Sequence, residues 1–360
     1  MNAFRSWFLL RAPLLWTGCV AALACSSTDS STPAREPSRF EDVVSWVREL
    51  RLEENPEVLN VAPAVTLDPR RGFLVADFRE TQLRRYSREG ALLWHAGSKG
   101  GGPGEFSTTS QVVRLRSGEI LAADFDHRLT IFDTTASSVV RTIETGLRRI
   151  EDLAVVDDSL ILISGLPGGN PAGPRLHLWN LRSDTIVRSF FAPFEGLRNK
   201  VAATVADWTR ASLRGDTLAV VFSLSDTVYY YTLAGEQLGA TPLPSRAFRR
   251  VGPDVPSGLG NPEKRAEWLA SFDLVSDVHW LSDGRLLVLY QSLEPGPAFQ
   301  PGGSLDRAYH LLKMTRTGDL VFEFRDVPRL LAVDPETDSL YFVTPGAEAP
   351  NRWSVARMLH

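Results

Sequence analysis

Short apolar stretches alternate with turn residues along most of the chain, and the alternation repeats. One unit reads FLVADFRETQLRRYSREGALLWHAG from Phe73, and a second reads ILAADFDHRLTIFDTTASSVVRTIETG from Ile120. Each runs from an apolar strand through Ala-Asp-Phe and a polar turn to further strands with alternating apolar positions. The distance between Ala76 and Ala123 falls within the range of about 40 to 50 residues that propeller blades have. The pattern therefore predicts repeated units of four short antiparallel strands.

Four weaker copies follow the first two units. They begin at Asp152, Ala211, Asp277 and Leu330, and turns such as RSGE, SDGR and PETDS separate their strands. Crossover helices between the strands are nearly absent, which argues against a two-domain α/β enzyme. A small sheet cannot bury both faces alone, so neighbouring units have to stack on one another. The prediction is an all-β fold: a six-bladed β-propeller of four-stranded antiparallel blades over residues 41–360.

The sixth unit ends one strand short, and a segment before the first unit is able to complete it. Residues Ser45 to Glu54, SWVRELRLEE, are expected to pair as the outer strand of the last blade. This pairing would remove an open sheet edge. A helix is the alternative, because the apolar residues from Phe40 to Leu50 follow helical spacing and SRFE resembles a capping box.

The glycine-rich stretch GGGPGEF, Gly100 to Phe106, stands between the first two units. A phosphate-binding loop needs Gly-Lys-Ser/Thr and a helix after its glycines, whereas Glu105 and a strand follow Gly104. A dinucleotide-binding loop lacks its helix for the same reason. We therefore expect the stretch to carry the chain from one blade to the next, with Phe106 packed between the blades.

The same stretch resembles NHL-repeat propellers, in which G-x-G-P-G-E-F joins two blades. GGGPGEF and the following VVRLRSGEILAADFDHRLTIFD fit that pattern, and the resemblance covers Leu59 to Thr142. Elsewhere it is thin, and the family's Asp-x-x-Asn-x-Arg-Ile pattern is only partly kept after Asp77 and Asp124. The resemblance implies an exported bacterial six-bladed propeller lipoprotein.

The first 24 residues have a different character. Arg5 and Arg11 are their only charges, and APLLWTGCVAALA from Ala12 to Ala24 is apolar but too short to span a bilayer. Residues 1–24 are predicted to be a secretory signal peptide. ALAC resembles the bacterial lipobox, which implies that Cys25 is lipidated and anchors the protein to a membrane. An ordinary cleaved signal is the alternative.

The polar residues after Cys25 extend this prediction. Residues 25–40 have no periodicity and contain proline, so they are predicted to form a flexible tether. Ser26 stands where an aspartate would signal retention at the inner membrane in some bacteria, so we expect an outer-membrane or periplasmic location. Cleavage before Cys25 would leave one of the two cysteines, and the folded part would then contain no disulfide. The net charge of −4, without a long run of one sign, gives no basic surface for nucleic acid.

Strand order places the long connections on one face. Connections after the second and fourth strands of a blade emerge on one side, and those after the first and third emerge on the other. The long connections all follow second or fourth strands: residues 100–106, 165–174, 241–272 and 292–304. In the third of these, Asn261 suits a helix N-cap and Pro262 the first helical position, so a short helix is expected there. Its Trp268 is a candidate ligand contact.

The first strands of the blades are expected to begin on this same face, around a central channel. Alignment of the units puts six residues at equivalent starting positions: Pro63, Gln111, Asp152, Thr209, Asp277 and Arg329. The polar members Gln111, Asp152, Asp277 and Arg329 are candidate ligand-binding residues. Two carboxylates beside a channel could hold Ca²⁺, the only cofactor considered. The alternative is that each aspartate accepts local backbone hydrogen bonds.

The preferred hypothesis is a non-catalytic cell-envelope scaffold that binds a protein, peptide or glycan through its long-loop face. The alternative is a metal-dependent hydrolase or lactonase that uses the channel. Propeller lactonases hold their metal with Glu, Asn and Asp, whereas the starting positions supply two aspartates and an arginine. The six histidines show no metal-ligand spacing, and no Gly-x-Ser-x-Gly motif occurs. A third hypothesis is a structural partner in an envelope assembly.

Overall fold

Antiparallel strands dominate the part of the chain that the structure describes. The structure is a computed structural model, and it describes residues 39–54, 63–68, 72–168, 170, 173–192, 207–252, 254, 256–294, 306–345 and 351–359. The predicted signal peptide, Cys25 and nearly all of the predicted tether lie outside these ranges. A 3-10 turn at Phe40–Asp42 leads directly into strand β1 (Val44–Arg51). The helix expected as an alternative for this segment is therefore wrong, and the strand is confirmed.

The strands that follow form sheets in chain order. Four strands form one sheet: β2 (Pro63–Asp68), β3 (Gly72–Asp77), β4 (Gln82–Ser87) and β5 (Leu92–Ala96). A short parallel pair comes next: β6 (Ser98–Lys99) and β7 (Glu105–Phe106). Seven strands form the largest sheet: β8 (Thr109–Arg114), β9 (Ile120–Asp124), β10 (Asp126–Phe132), β11 (Val139–Val155), β12 (Leu160–Pro167), β13 (Leu176–Asn180) and β14 (Thr185–Phe190).

Three more four-stranded sheets complete the described fold. One contains β15 (Thr209–Arg214), β16 (Thr217–Phe222), β17 (Thr227–Thr232) and β18 (Gln237–Pro242). Helix α1 (Pro262–Ala270) precedes the next, which contains β19 (Asp273–Trp280), β20 (Leu286–Glu294), β21 (Asp306–Met314) and β22 (Leu320–Val327). The last contains β23 (Leu330–Asp334), β24 (Ser339–Val343), β25 (Arg352–Met358) and β1.

The prediction of six separate four-stranded blades is wrong in its count. Four four-stranded sheets occur among the described residues, beside the seven-stranded sheet. The difference arises in β11, whose first part pairs with β10 and whose second part pairs with β12. Gly146, with a φ of 69°, and Arg149, with a φ of 52°, redirect its backbone without ending the strand. The second unit and the unit that the sequence pattern began at Asp152 are therefore joined by one continuous strand.

The sheets have a propeller-like arrangement, because the first strands of neighbouring sheets, and β11 within the seven-stranded sheet, contact one another. Strand β2 lies against β8, β8 against β11, β11 against β15, β15 against β19, and β23 against β2. Buried hydrophobic clusters fill the space between neighbouring sheets. Phe106 is fully buried in one of them, together with Leu74 of β3 and Val112 of β8. This position confirms the packing that was expected for the residue after the glycine-rich stretch.

The N-terminal strand completes the last sheet, as the sequence predicted. Strand β1 pairs antiparallel with β25, with Val44 opposite Met358 and Leu50 opposite Trp353. These four side chains are buried. The pairing covers the edge of β25 and ties the beginning of the described chain to its end, which leaves one fewer open edge for unwanted strand pairing.

Arg128 holds the glycine-rich stretch in place. Its guanidinium donates hydrogen bonds to the carbonyl oxygens of Gly101, at 2.8 Å, and Glu105, and it lies 3.3 Å from the Asp124 carboxylate. Gly104 has a φ of 76°, in the left-handed region where a side chain would be strained. The stretch therefore turns a corner between two sheets, which agrees with the structural interpretation of its glycines.

Helix α1 forms where the capping signal predicted it. The Asn261 side chain accepts hydrogen bonds from the backbone N–H groups of Glu263, at 2.8 Å, and Lys264, at 3.2 Å, and Pro262 is the first helical residue. The helix packs on the sheets through Trp268, whose ring centroid lies 4.9 Å from that of Phe272. Within the described ranges, no helix has the length and apolar character needed to cross a bilayer.

Candidate ligand site on the loop face

At one end of each sheet, the start of the first strand lies beside the end of the second. The register shows this in pairs of opposite residues: Pro63 and Asp77, Asp152 and Ser164, Thr209 and Phe222, and Asp273 and Ser292. Residues 97–108 and 243–272 connect a fourth strand to the next first strand, so they lie at this end, which we call the loop face. The predicted long connections 165–174 and 292–304 fall partly outside the described residues. Tight turns such as residues 115–119 and 281–285 lie at the opposite end, the turn face.

Four ionisable side chains from three neighbouring strands interact with one another: Asp152 of β11, Arg210 of β15, and Asp277 and His279 of β19. Asp277 pairs with Leu289 in the middle of β19 and His279 pairs with Leu287, so the cluster extends from the loop end of the strands toward their turn end. We call them the charged cluster. Nε2 of His279 lies 3.4 Å from Oδ2 of Asp277, and these side chains are 25% and 36% exposed. Asp152 and Arg210 are also only half-buried. All four groups are therefore within reach of a ligand from solvent.

Backbone hydrogen bonds fix the two carboxylates of the cluster. Oδ1 of Asp152 accepts from the N–H of Leu153 at 3.0 Å, and Oδ2 accepts from the N–H of Ala211 at 3.3 Å. Oδ1 of Asp277 accepts from the N–H of Val278 at 2.8 Å. These are the local bonds that the sequence offered as an alternative to ligand binding. They use only part of the acceptor capacity of each carboxylate, so both functions are compatible.

The backbone carbonyl of Glu151 positions two long side chains beside the cluster. It accepts hydrogen bonds from Nε2 of Gln111, at 3.0 Å, and from the Arg210 guanidinium. The Glu151 carboxylate accepts from Arg149 at 2.8 Å and from the N–H of Thr209 at 3.1 Å, and it interacts electrostatically with Arg149 and Arg210. Burial raises the pKa of this carboxyl group. Glu151 thus anchors the site without entering it.

Arg210 differs from the arginines that hold carboxylates between the sheets. Those arginines form direct ion pairs: Arg128 with Asp124 at 3.3 Å, Arg175 with Asp207 at 2.9 Å, and Arg249 with Asp273 at 2.6 Å. Arg210 interacts electrostatically with Asp152 and Asp277, yet it forms no ion pair with any residue that the structure describes. The Arg210 guanidinium therefore lies near the carboxylates of the cluster without forming an ion pair with either of them.

The ionisable groups of the cluster have shifted pKa values. Burial raises the pKa of Asp152 to about 6, opposed by Arg210 and assisted by Asp277. Burial alone would raise the pKa of Asp277, but His279 and Arg210 hold it below its usual value. Burial alone would lower the pKa of His279, but Asp277 and Asp152 hold it above its usual value. Asp277 and His279 therefore compensate each other, whereas Asp152 and Arg210 remain as one separated negative and positive charge.

Two phenylalanines of the repeated Ala-Asp-Phe sequence form an aromatic pair on the same face. The rings of Phe78 and Phe125 meet edge to face, with centroids 5.7 Å apart and planes at 83°, and Phe78 is 47% exposed. The carbonyl of Phe125 accepts a hydrogen bond from the N–H of Ile150 at 3.0 Å, two residues before Asp152. The aromatic pair therefore lies at the loop end of the strand that carries Asp152, and it offers an apolar contact to a ligand on the loop face.

The structure brings together three of the residues that the sequence proposed for the site. Asp152 and Asp277 belong to the charged cluster, and Gln111 lies beside it. Arg329 lies where the last and first sheets meet, with its guanidinium 3.5 Å from the carbonyl oxygen of Pro63. Trp268 is buried in the hydrophobic core, so its ring packs against protein in this structure and offers little surface to a ligand.

Sequence reasoning missed Arg210 and His279. Both stand one or two positions after an aligned starting position, Thr209 for the arginine and Asp277 for the histidine. Side chains two apart on a strand project to the same side, so the spacing of Asp277 and His279 was the available signal. Phe78 and Phe125 were visible as a repeated residue, but their common face was not considered.

A serine–histidine contact between β20 and β21 has the wrong polarity for a nucleophile and its base. Oγ of Ser292 lies 2.8 Å from Nε2 of His310 and donates a hydrogen bond to Asp273 at 2.7 Å. Nδ1 of His310 accepts from the N–H of Asp326 at 3.2 Å, and burial lowers the pKa of His310 to about 4. The neutral ring therefore donates its Nε2 proton to the serine oxygen, whereas a general base has to accept the serine proton.

The charged cluster does not suit Ca²⁺. This ion takes about six to eight oxygen ligands. The cluster supplies the carboxylates of Asp152 and Asp277, and the cationic Arg210 stands beside both. In the ranges with described side chains, no group of three or more His, Cys, Asp or Glu residues is arranged to hold a metal ion.

Comparison with known proteins shows the fold alone. No family model and no curated protein matches the sequence. A member of the DUF4221 family from Bacteroides vulgatus has a similar crystal structure, with a TM-score of 0.67, 10% identity, and coverage of 88% of this chain and 97% of that chain. A putative exported protein from Bacteroides fragilis gives a TM-score of 0.58 at 12% identity, over 89% and 97% of the two chains. BamB from Moraxella catarrhalis gives 0.48 at 10% identity, over 88% and 100%. The resemblance to NHL repeats is not confirmed by these comparisons.

Proposed function

We propose that the protein is a non-catalytic scaffold of the bacterial cell envelope that recognises a protein, peptide or glycan through its loop face. The observation that carries the proposal is the charged cluster. Asp152, Arg210, Asp277 and His279 come from three adjacent first strands, are accessible, and retain unused hydrogen-bonding capacity. Polar groups of this kind on a rigid frame give a ligand its orientation and its specificity.

The surroundings of the cluster support binding over catalysis. The aromatic pair Phe78–Phe125 adds exposed apolar surface on the loop face. The frame under the site is held by sheet hydrogen bonds, so little conformational freedom is lost when a ligand binds. The one serine–histidine contact considered as a catalytic pair, Ser292–His310, is buried and has the opposite proton polarity.

The envelope location is part of the same proposal. It is supported by the basic, apolar and small-residue pattern of residues 1–24 and by the ALAC sequence that ends in Cys25. One solved structure with this fold belongs to a protein described as a putative exported protein. We expect Cys25→Ser to move the protein from the membrane fraction to the soluble fraction of producing cells, and Cys19→Ser to leave it in the membrane fraction. Equal fractionation of both variants with the wild type would contradict lipidation at Cys25.

Photo-crosslinking tests the choice of face. The full chain is produced with p-benzoylphenylalanine in place of Phe78 on the loop face or of the exposed Arg182 on the turn face. Irradiation in envelope extracts is expected to give discrete crosslinked products when the label is at position 78. The same products should be absent when the label is at position 182. Asp152→Asn is expected to reduce the adducts at position 78. Absence of adducts at position 78, or the same adducts at both positions, would overturn the proposal.

A further inference from the structure

We infer that the charged cluster binds a small zwitterion, an α-amino acid or a short peptide, whose ammonium group lies against Asp152 and whose carboxylate lies against Arg210. The inference rests on the proposed function, because it names the ligand class of the same site. It goes further in assigning a role to each of two side chains.

The first observation behind this assignment is that Asp152 and Arg210 interact electrostatically without forming an ion pair with each other. The N–H of Ala211 donates to Oδ2 of Asp152 at 3.3 Å, so the backbone next to Arg210 touches this carboxylate directly. The guanidinium nevertheless turns to the Glu151 carbonyl and forms no ion pair with a described residue. Two opposite charges are thus held close in the fold and kept apart by separate anchors. A ligand that carries both charges can complete both interactions at once.

The charge balance of the cluster selects a zwitterion over a simple ion. Asp277 and His279 lie 3.4 Å apart and compensate each other. What remains is one carboxylate and one guanidinium. Arg210 would repel a ligand that has only a positive charge, and Asp152 would repel a ligand that has only a negative charge. A zwitterion matches the two charges one to one.

The aromatic pair gives the ligand's side chain a place to pack. The carbonyl of Phe125 accepts a hydrogen bond from the N–H of Ile150 on the strand that carries Asp152, and the exposed ring of Phe78 packs against Phe125. Aromatic rings pair favourably edge to face and bury a large apolar area. We therefore expect an aromatic amino acid to bind more tightly than glycine, and trialanine to show whether a longer peptide is accepted.

Calorimetric titration of the full chain tests the assignment with matched probes. The probes are phenylalanine, glycine, trialanine, N-acetylphenylalanine, which lacks the ammonium group, phenylalanine amide, which lacks the carboxylate, and glucose as a neutral polyol. Each capped derivative is expected to bind about tenfold or more weakly than phenylalanine, because one charge-assisted hydrogen bond is lost. Binding of phenylalanine without binding of glucose supports the inference.

Two substitutions separate the charged roles from general damage to the fold. Asp152→Asn is expected to weaken the binding of phenylalanine about tenfold or more but not that of N-acetylphenylalanine, which has no ammonium group to lose and is no longer repelled by a carboxylate. Arg210→Gln is expected to weaken the binding of phenylalanine but not that of phenylalanine amide, which has no carboxylate to lose and is no longer repelled by the guanidinium. The turn-face variants Asp158→Asn and Arg182→Gln are expected to bind every probe as the wild type does. A misfolded variant would weaken all probes alike, which the paired comparison detects.

Three results would overturn the inference, and they bear differently on the proposed function. Capped derivatives that bind as well as phenylalanine would show that the ligand does not need both charges, although the protein would still have a binding site. Binding of glucose that is lost in Asp152→Asn would replace the zwitterion by a glycan, and the proposed function would stand. If no probe binds, the assignment of a zwitterionic ligand is wrong. Adducts at position 78 in the crosslinking experiment would then still support the proposed function.

Discussion

Leu50 of β1 lies directly opposite Trp353 of β25, and the two buried side chains share one hydrophobic cluster. Residues from the two ends of the described chain thus stabilise each other across a single sheet. Val47 belongs to the same strand, but it points away from this cluster and is 56% exposed. The pair Leu50 and Val47 therefore offers a buried and an exposed position on one strand.

Leu50→Ala is expected to lower the free energy of unfolding by about 2–5 kcal/mol, because it leaves a cavity in the cluster that closes the last sheet. Val47→Ala is the matched control, and its effect should be about 0.5 kcal/mol or less. Urea unfolding followed by tryptophan fluorescence measures both. Equal effects of the two substitutions would contradict the pairing of β1 with β25.

Arg128→Gln is expected to lower the free energy of unfolding by about 3–5 kcal/mol, because it leaves the buried Asp124 carboxylate without its counter-charge. It also removes the donors to the carbonyl oxygens of Gly101 and Glu105. Arg285→Gln on the turn face removes an exposed contact of 3.6 Å with Asp283, and its effect should be about 1 kcal/mol or less. The same urea series measures both, and an Arg128→Gln effect as small as the control would show that the joint holds without this arginine.

Asp152 gives the stability of the protein a specific pH dependence. Its pKa of about 6 in the folded protein lies above the ordinary value of 3.8. Between these values the folded state holds more protons than the unfolded state, so this group's contribution to the free energy of unfolding falls as the pH rises from about 4 to about 6. Asp152→Asn removes this pH-dependent loss. The free energy of unfolding of the variant should therefore rise relative to that of the wild type as the pH increases from about 4 to about 6.

Urea unfolding at a series of pH values from 4 to 7 measures the difference between each variant and the wild type. Asp158→Asn on the turn face is the control for the replacement of an exposed aspartate by asparagine. A difference for Asp152→Asn that does not vary with pH would show that the folded-state pKa of Asp152 is not raised.

Ser292 is expected to be unreactive toward a fluorophosphonate reagent, because its oxygen is buried, accepts a hydrogen bond from His310 and donates its own hydrogen bond to Asp273, so no base takes its proton. Mass spectrometry of the treated full chain should show no adduct on this residue. Ser292→Ala is expected to lower the free energy of unfolding by about 1–3 kcal/mol, because Asp273 loses a buried hydrogen-bond donor. Labelling of Ser292 would revive the hydrolase alternative.

Local signals in the sequence were sufficient for several elements of the fold. The missing strand of the last unit identified Ser45 to Glu54 as its completion, because an open edge is unfavourable and this segment lies just before the first unit. Asn261 and Pro262 fixed the start of α1, since capping depends on neighbouring residues alone. The alternation of short turns and long connections gave the loop face.

The continuity of β11 was not predictable from the same signals. Gly146 follows a run of alternating residues and reads as a turn, yet its positive φ and that of Arg149 bend the strand while the ladder on either side continues. Long-range pairing decides whether such a position bends or breaks a strand. The blade count derived from turns therefore exceeded the number of separate four-stranded sheets.

The site was only partly predictable because its members meet through the fold. Asp152 and Asp277 were found as charges at the starts of strands. Arg210 reaches them because its side chain is fixed by the Glu151 carbonyl on another strand, a contact with no sequence signature. Trp268 was proposed as a ligand contact from its place in a long connection, but an aromatic ring on a short amphipathic helix gains more from burial against the sheets.

The uninterrupted course of β11 determines where the polypeptide tolerates being opened. An inserted domain or new termini between Val139 and Val155 would interrupt hydrogen bonds to β10 on one side and to β12 on the other. Residues 243–272 connect two sheets that do not share a strand. New chain termini within residues 243–272 would interrupt no strand ladder. Circular permutation is therefore expected to be tolerated better there than within residues 139–155.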